Sequence, residues 1–168
     1  RYYERYMRYR AEGATDEDAM TRVVRMGIHN ENNMVGRLVD GIFARADLEG
    51  NFQGFRMALD MCGGPDPHIV REDETWRLKT PVDIRDYVTP DLDESWNTSH
   101  YWGMRRRTAI PLIRERYCDK RDGPIVIARF ARYAHYEPSF SQKAIAAYFK
   151  EKGGDPRDEQ SLDAICSQ

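Results

Sequence analysis

Apolar positions recur with a period near 3.6 along most of the chain, the pattern of helices that each bury one face. Residues 1–12 put Tyr2, Tyr6 and Tyr9 on one stripe with Arg1, Arg5 and Arg8 beside it, and Gly13 ends the segment. Thr15 has the character of an N-cap, and Asp16, Glu17 and Asp18 follow in the first turn, where the helix dipole favours negative charge. Ala19/Met20, Val23/Val24 and Gly27/Ile28 continue on one face, and residues 29–33 (His-Asn-Glu-Asn-Asn) read as a turn. The next repeat is Met34/Val35, Leu38/Val39 and Ile42/Phe43, and a second face follows with Leu48, Phe52, Phe55, Leu59 and Cys62. These spacings predict one long helix over roughly 32–62, or two helices meeting near Asp47. Gly36, Gly41, Gly50 and Gly54 each cost about 1 kcal/mol of helix propensity relative to Ala. Four of them imply close packing or backbone access to a ligand.

The periodicity lapses between residues 64 and 100, where Pro65, Pro67, Pro81 and Pro90 punctuate an acidic stretch. Trp76-Arg77-Leu78-Lys79 alternates like a short strand, and Val82 to Tyr87 suits a short helix. From Trp102 the helical pattern returns, with a kink or a new start expected at Thr108 because Pro111 lacks a backbone donor. Residues 125–136 open with β-branched side chains but fit a helix over their full length. Ser139 caps a further helix carrying Ala144/Ile145 and Tyr148/Phe149, closed by Gly153-Gly154. Asp155-Pro156 is an N-cap with proline at the first helical position, opening a last helix that buries Leu162 and Ile165. The expected fold is mainly α: a single-domain bundle over 1–168 of six to eight helices. It carries a long irregular acidic insertion at about 64–100 and a short β element near 76–80.

Composition narrows the field of functions. Apolar residues are 40% and charged residues 32% of 168, a globular mix. No apolar run approaches the roughly 20 residues a bilayer crossing needs. The net charge of −2 disfavours a surface dedicated to nucleic acid, although Tyr101 to Arg121 is locally basic. Cys62, Cys118 and Cys166 form no Cys-x-x-Cys pair, and three inert buried thiols are expected ahead of one disulfide with a free thiol. The chain opens at Arg1, which points to a mature product, a trimmed one or the ordered part of something longer, and leaves cytoplasmic and extracytoplasmic settings both open.

Candidate chemistry concentrates in residues 91–102, Asp-Leu-Asp-Glu-Ser-Trp-Asn-Thr-Ser-His-Tyr-Trp. Aromatic faces interleaved with amides, hydroxyl groups and carboxylates suit a polar small molecule or a sugar. The cluster Arg105-Arg106-Arg107 follows, able to neutralise an acidic ligand or to pair with Asp91, Asp93 and Glu94. The competing expectation is structural, with Trp96 and Trp102 as core anchors. Alternating oxygen donors from Asp91 onward resemble a calcium loop, but Trp96 and Trp102 occupy the positions that need glycine and glutamate, so the pattern fails. His29, His68, His100 and His135 show no zinc spacing, and no phosphate- or dinucleotide-binding glycine motif occurs. No cofactor or metal is assigned.

A second polar group runs along one helical stripe: Glu49, Gln53, Arg56 and Asp60, opposite Leu48, Phe52, Phe55 and Leu59. Its plain reading is a solvated face with an Arg56–Asp60 pair. Two functional expectations follow. The first is a site for a small polar molecule or a protein partner at 91–107, using Trp96, Asn97, Tyr101 and Arg105. The second is hydrolysis of a glycan or cell-envelope polymer by paired carboxylates, Glu49 with Asp93 or Glu94, assisted by His100.

Overall fold

The computed structural model describes residues 1–34, 36–155 and 157–167, and the side chains of all of these except Met34, Arg37, Leu38, Arg157 and Asp158. The fold is mainly α with two small two-stranded sheets. Helices α1 (Tyr2–Ala11) and α2 (Asp16–His29) pack as an antiparallel pair, and the Thr15 hydroxyl accepts the Asp18 N–H at 3.2 Å. Helix α3 (Arg45–Ala58) crosses beneath them and supplies Leu48, Phe52 and Phe55 to the core. That core also takes Val23, Val24 and Ile28 from α2, Phe43, and Ile145 and Phe149 from α7 (Phe140–Glu151). Phe43 and Phe149 meet edge to face at 5.1 Å.

Two expectations for residues 29–62 are corrected. Residues 30–34 are a wide π-helical extension of α2 rather than a turn. Residues 36–40 form a second π-helical turn, and Ile42–Phe43 are strand β1, so the chain between them is not the front of a long helix. The cause is the backbone at two glycines. A Cβ on Gly36 would stand 2.2 Å from the Glu31 carbonyl oxygen and 2.4 Å from that of Ile42. Gly41 has φ +68°, a left-handed conformation that costs other residues strain and that turns the chain out of the helical path. Strand β1 then pairs antiparallel with β4 (His100–Tyr101), Phe43 opposite His100. This pairing carries the segment 91–102 onto the N-terminus of α3. Val39, placed on the apolar face by its spacing, is 75% exposed.

The acidic insertion is more regular than its sequence suggests. Strands β2 (Ile69–Glu72) and β3 (Thr75–Leu78) form an exposed hairpin, and single 3-10 turns cover Ile84–Tyr87 and Pro90–Leu92. Helix α4 (Gly103–Ile113) contains Pro111 without ending there, and it runs on into a π-helical turn over Arg114–Cys118. Short α5 (Asp119–Arg121) and α6 (Pro124–Tyr133) follow, the latter confirming the helical reading of its β-branched start. In α7 the Ser139 hydroxyl accepts the Gln142 N–H, and Gly153 and Gly154 end the helix at positive φ. Short α8 (Arg157–Gln160) and α9 (Leu162–Cys166) close the described chain, with Leu162 and Ile165 buried as expected; Pro156, expected to open this helix, lies outside the described residues. The thiol expectation is corrected as well. Cys118 and Cys166 form a disulfide with Cα atoms 5.4 Å apart, and Cys62 is free and exposed. The two cysteines meet because Leu162 and Ile165 bury α9 against the turn that carries Cys118.

Candidate functional site

The segment 91–102 divides into an inner and an outer face. Asn97, Thr98, Ser99 and His100 are buried, and Asn97 Nδ2 donates to the Asp91 carbonyl at 2.8 Å. His100 lies between Phe43, Phe149 and Trp102, at centroid distances of 5.7, 5.4 and 5.9 Å. Arg45 donates from Nε to His100 Nε2 at 3.4 Å and forms an ion pair with Asp155 at 2.6 Å. His100 thus belongs to a buried Arg45–Asp155 cluster under the β1–β4 pair. Trp102 packs against the same core.

Trp96 points the other way. Its indole is 37% exposed and meets the rings of Phe130 and Tyr133 edge to face, at 5.4 and 5.5 Å. It lines a cleft of about 520 Å³ together with Asp91, Ser95, Thr98, Gln142, Lys143, Ser161 and Asp163. The loop that presents Trp96 is fixed by Asp93. That carboxylate accepts the Ser95 N–H at 2.9 Å and the Tyr133 hydroxyl at 3.3 Å, and it pairs with Arg129 at 3.2 Å. Arg129 also donates to Ser95 Oγ and the Tyr117 hydroxyl, each at 3.2 Å. The partner of Asp93 is therefore Arg129 of α6, and Arg105 instead donates to the Asp40 carbonyl at 3.1 Å. Tyr101 is half-buried; its N–H donates to Gln160 Oε1 at 2.8 Å, and burial pushes its phenol pKa up, helped by Glu94.

The three candidate carboxylates do not share one opening. Glu49 is completely buried, and both its oxygens are taken. Oε1 accepts Gln53 Nε2 at 2.6 Å and Thr89 Oγ1 at 2.9 Å, while Oε2 accepts Ser139 Oγ at 2.6 Å and the Ser141 hydroxyl. Glu94 accepts Ser99 Oγ at 2.9 Å and lines a separate acidic recess with Glu31 and Asp47. Burial, outweighing these hydrogen bonds, holds the Glu94 carboxyl above its ordinary pKa. The polar stripe that runs from α3 into the π-helical turn Leu59–Gly63 is likewise not a plain solvated face: Arg56 donates to Gln53 Oε1 at 3.0 Å, and Asp60 accepts the Tyr87 hydroxyl at 2.9 Å. Among the described residues, no group of three or more His, Cys, Asp or Glu side chains is placed to hold a metal ion. No helix among them is long and apolar enough to cross a membrane.

Several cleft residues were not marked by the sequence reading. Phe130, Gln142, Lys143, Ser161 and Asp163 come from α6, α7 and the start of α9, 30 or more residues away from Trp96. One signal was available. Gln142 sits on the buried stripe of α7 with Ile145 and Phe149, at i, i+3 and i+7, and a polar residue there needs a reason. It is 5% exposed, its Nε2 donates to the Arg45 carbonyl at 3.4 Å, and its Oε1 has no hydrogen-bond partner among the described residues. Comparison with protein-family models, with curated proteins and with solved structures finds no match, so the chemistry is read from this geometry alone.

Proposed function

We propose that the chain binds a small polyhydroxylated ligand, a mono- or oligosaccharide, in the Trp96 cleft. The observation that carries the reading is the half-exposed indole, braced by two rings and facing hydroxyl, amide and charged side chains across a cleft of about 520 Å³. A flat apolar ring takes the axial C–H face of a pyranose, while Ser95, Thr98, Gln142 and Ser161 supply hydrogen bonds to its hydroxyl groups. Of the charged residues lining the cleft, Asp91 is buried and accepts the Ser139 N–H at 3.1 Å, while Lys143 and Asp163 carry opposite signs, which favours a ligand of low net charge.

The paired-carboxylate alternative draws less support. Glu49 is committed to four donors, Asp93 to Arg129, and Glu94 opens to a different recess. Asn97, Tyr101 and Arg105 enter the reading as supports of the loop and of β4 rather than as ligand contacts.

The test is titration of the protein with a panel of methyl glycosides and oligosaccharides, followed by tryptophan fluorescence and calorimetry. Binding by at least one member, lost by tenfold or more in Trp96→Ala and retained in Trp76→Phe, is the expected result. A panel that gives no heat and no spectral change, or binding that Trp96→Ala leaves intact, overturns the reading.

A further inference from the structure

One wall of the Trp96 cleft is held in an unusual way. Ser161, Leu162 and Asp163 line it, and they belong to a helix of five residues that cannot persist by its own hydrogen bonds. Its attachments among the described residues are these. Leu162 and Ile165 are buried, the Ile165 carbonyl accepts Arg114 Nε at 3.0 Å, and Gln160 Oε1 accepts the Tyr101 N–H. Arg121 stands 3.8 Å from Asp163 at the surface, too exposed a pair to hold the wall. The remaining attachment is covalent: Cys166, three residues beyond Asp163, is bonded to Cys118 across a sequence separation of 48. Both cysteines are half-buried, so a thiol in solution has a path to the bond.

We propose that the Cys118–Cys166 disulfide is a redox latch on the Trp96 cleft, which keeps α9 in place as a wall when formed and releases it when reduced. The regulation rests on the ligand reading above, whereas the movement of the wall does not. The reductant is a dithiol, either a small molecule or a protein with a paired-cysteine site. One of its thiolates attacks a sulfur of the bond; the Cys118–Cys166 bond breaks and a mixed disulfide forms. The second dithiol sulfur then displaces that cysteine. The dithiol leaves as a disulfide, having given two electrons, and two protons end on the Cys118 and Cys166 sulfurs. Without the tether, the described attachments of residues 160–167 are the Leu162 and Ile165 side chains, the hydrogen bonds to Arg114 and Tyr101 and the exposed Arg121–Asp163 pair, and local opening is favoured over loss of the main core. Neither cysteine belongs to the core cluster built from α2, α3 and α7.

The experiment uses the full chain with Cys62→Ser, which prevents thiol exchange from the exposed cysteine. Amide hydrogen exchange is followed by mass spectrometry in the oxidised form, in dithiothreitol, and in Cys118→Ser/Cys166→Ser. Exchange at 160–167 and 91–99 should rise at least tenfold on reduction and in the double variant, with 16–29 unchanged. The saccharide that binds the oxidised protein should lose at least tenfold in affinity. Exchange that stays the same after reduction overturns the latch, and so does an equal rise throughout 16–29, which would make the bond a general stabiliser. If exchange responds as stated but no saccharide binds even the oxidised form, the latch stands and the ligand reading falls.

Discussion

Removing the Glu49 carboxylate is the sharpest test of how this fold is assembled. Glu49 ties α3 to the segment before Asp91 and to the start of α7 through Gln53, Thr89, Ser139 and Ser141. Hydrogen bonds to a charged group contribute about 1.5–3 kcal/mol each, but three of the four donors are hydroxyl groups that can rotate to other acceptors. The sum is therefore an overestimate, and the better guide is the penalty of about 1–3 kcal/mol for each buried neutral donor left unsatisfied; with two of the four stranded the loss is about 3–5 kcal/mol. Glu49→Leu has nearly the same volume and adds little cavity cost, so the whole loss reports the stranded donors. For a chain of this length about 2–4 °C accompanies each kcal/mol, and the melting temperature should fall by about 10–15 °C. Glu49→Gln keeps an acceptor for Gln53 and Thr89 and offers an N–H to the two serines, so its cost should be about 1–2 kcal/mol.

The assay is urea unfolding followed by circular dichroism at pH 7, with the slope against denaturant checked for constancy. Ser141→Ala should cost about 1–2 kcal/mol alone and close to nothing in the Glu49→Leu background, a coupling that additive, independent sites would not show. A Glu49→Leu loss under about 1 kcal/mol, or fully additive effects with Ser141→Ala, would refute the claim that this carboxylate joins the three segments.

Three further outcomes follow from named contacts. The Glu94 carboxyl has its folded-state pKa raised by burial, so its charge costs stability above that pKa and the cost disappears as pH falls toward the unfolded value. Glu94→Gln should accordingly melt higher than the parent at pH 7–8 and no higher at pH 4; a gain that grows on acidification contradicts the sign. Gly36→Ala forces a Cβ to 2.2 Å from a backbone oxygen and should cost about 3 kcal/mol or more by thermal melting, since backbone must move. Cys118→Ser/Cys166→Ser should lower the calorimetric midpoint by less than about 3 °C, because the freed segment opens without the core; a fall near 10 °C, which the loop entropy of about 4 kcal/mol for a separation of 48 would give, would make the bond a global stabiliser.

How much of this was legible depended on which force decided each element. Segments where apolar spacing and capping agree, such as Thr15–His29 and Ser139–Glu151, were readable from the sequence because both signals are local. Residues 30–43 were misread for the opposite reason. Their apolar spacing is helical, but the outcome is set by the close approach of the Glu31 and Ile42 carbonyls to Gly36 and by pairing of Phe43 with His100, 57 positions on. Hydrophobic periodicity carries no information about either.

The same limit explains the site. Residues 91–102 declared themselves by composition, yet composition does not say which way a ring faces. Asp93 decides that by choosing Arg129 on α6 over the arginines nearer in sequence at 105–107, and once that pair forms, Trp96 is held against Phe130 and Tyr133 with 37% of its surface exposed. His100, four residues on and chemically the more suggestive residue, turns inward because strand pairing alternates sides and the inward side meets Phe43, Phe149 and Arg45. Whether a polar residue in such a stretch is a tool or a brace is thus settled by partners that lie outside it. One position where the sequence did hold that information is Gln142: an amide on a buried helical stripe stays there only if something answers it, and the Arg45 carbonyl answers its N–H while the side chain lines the cleft.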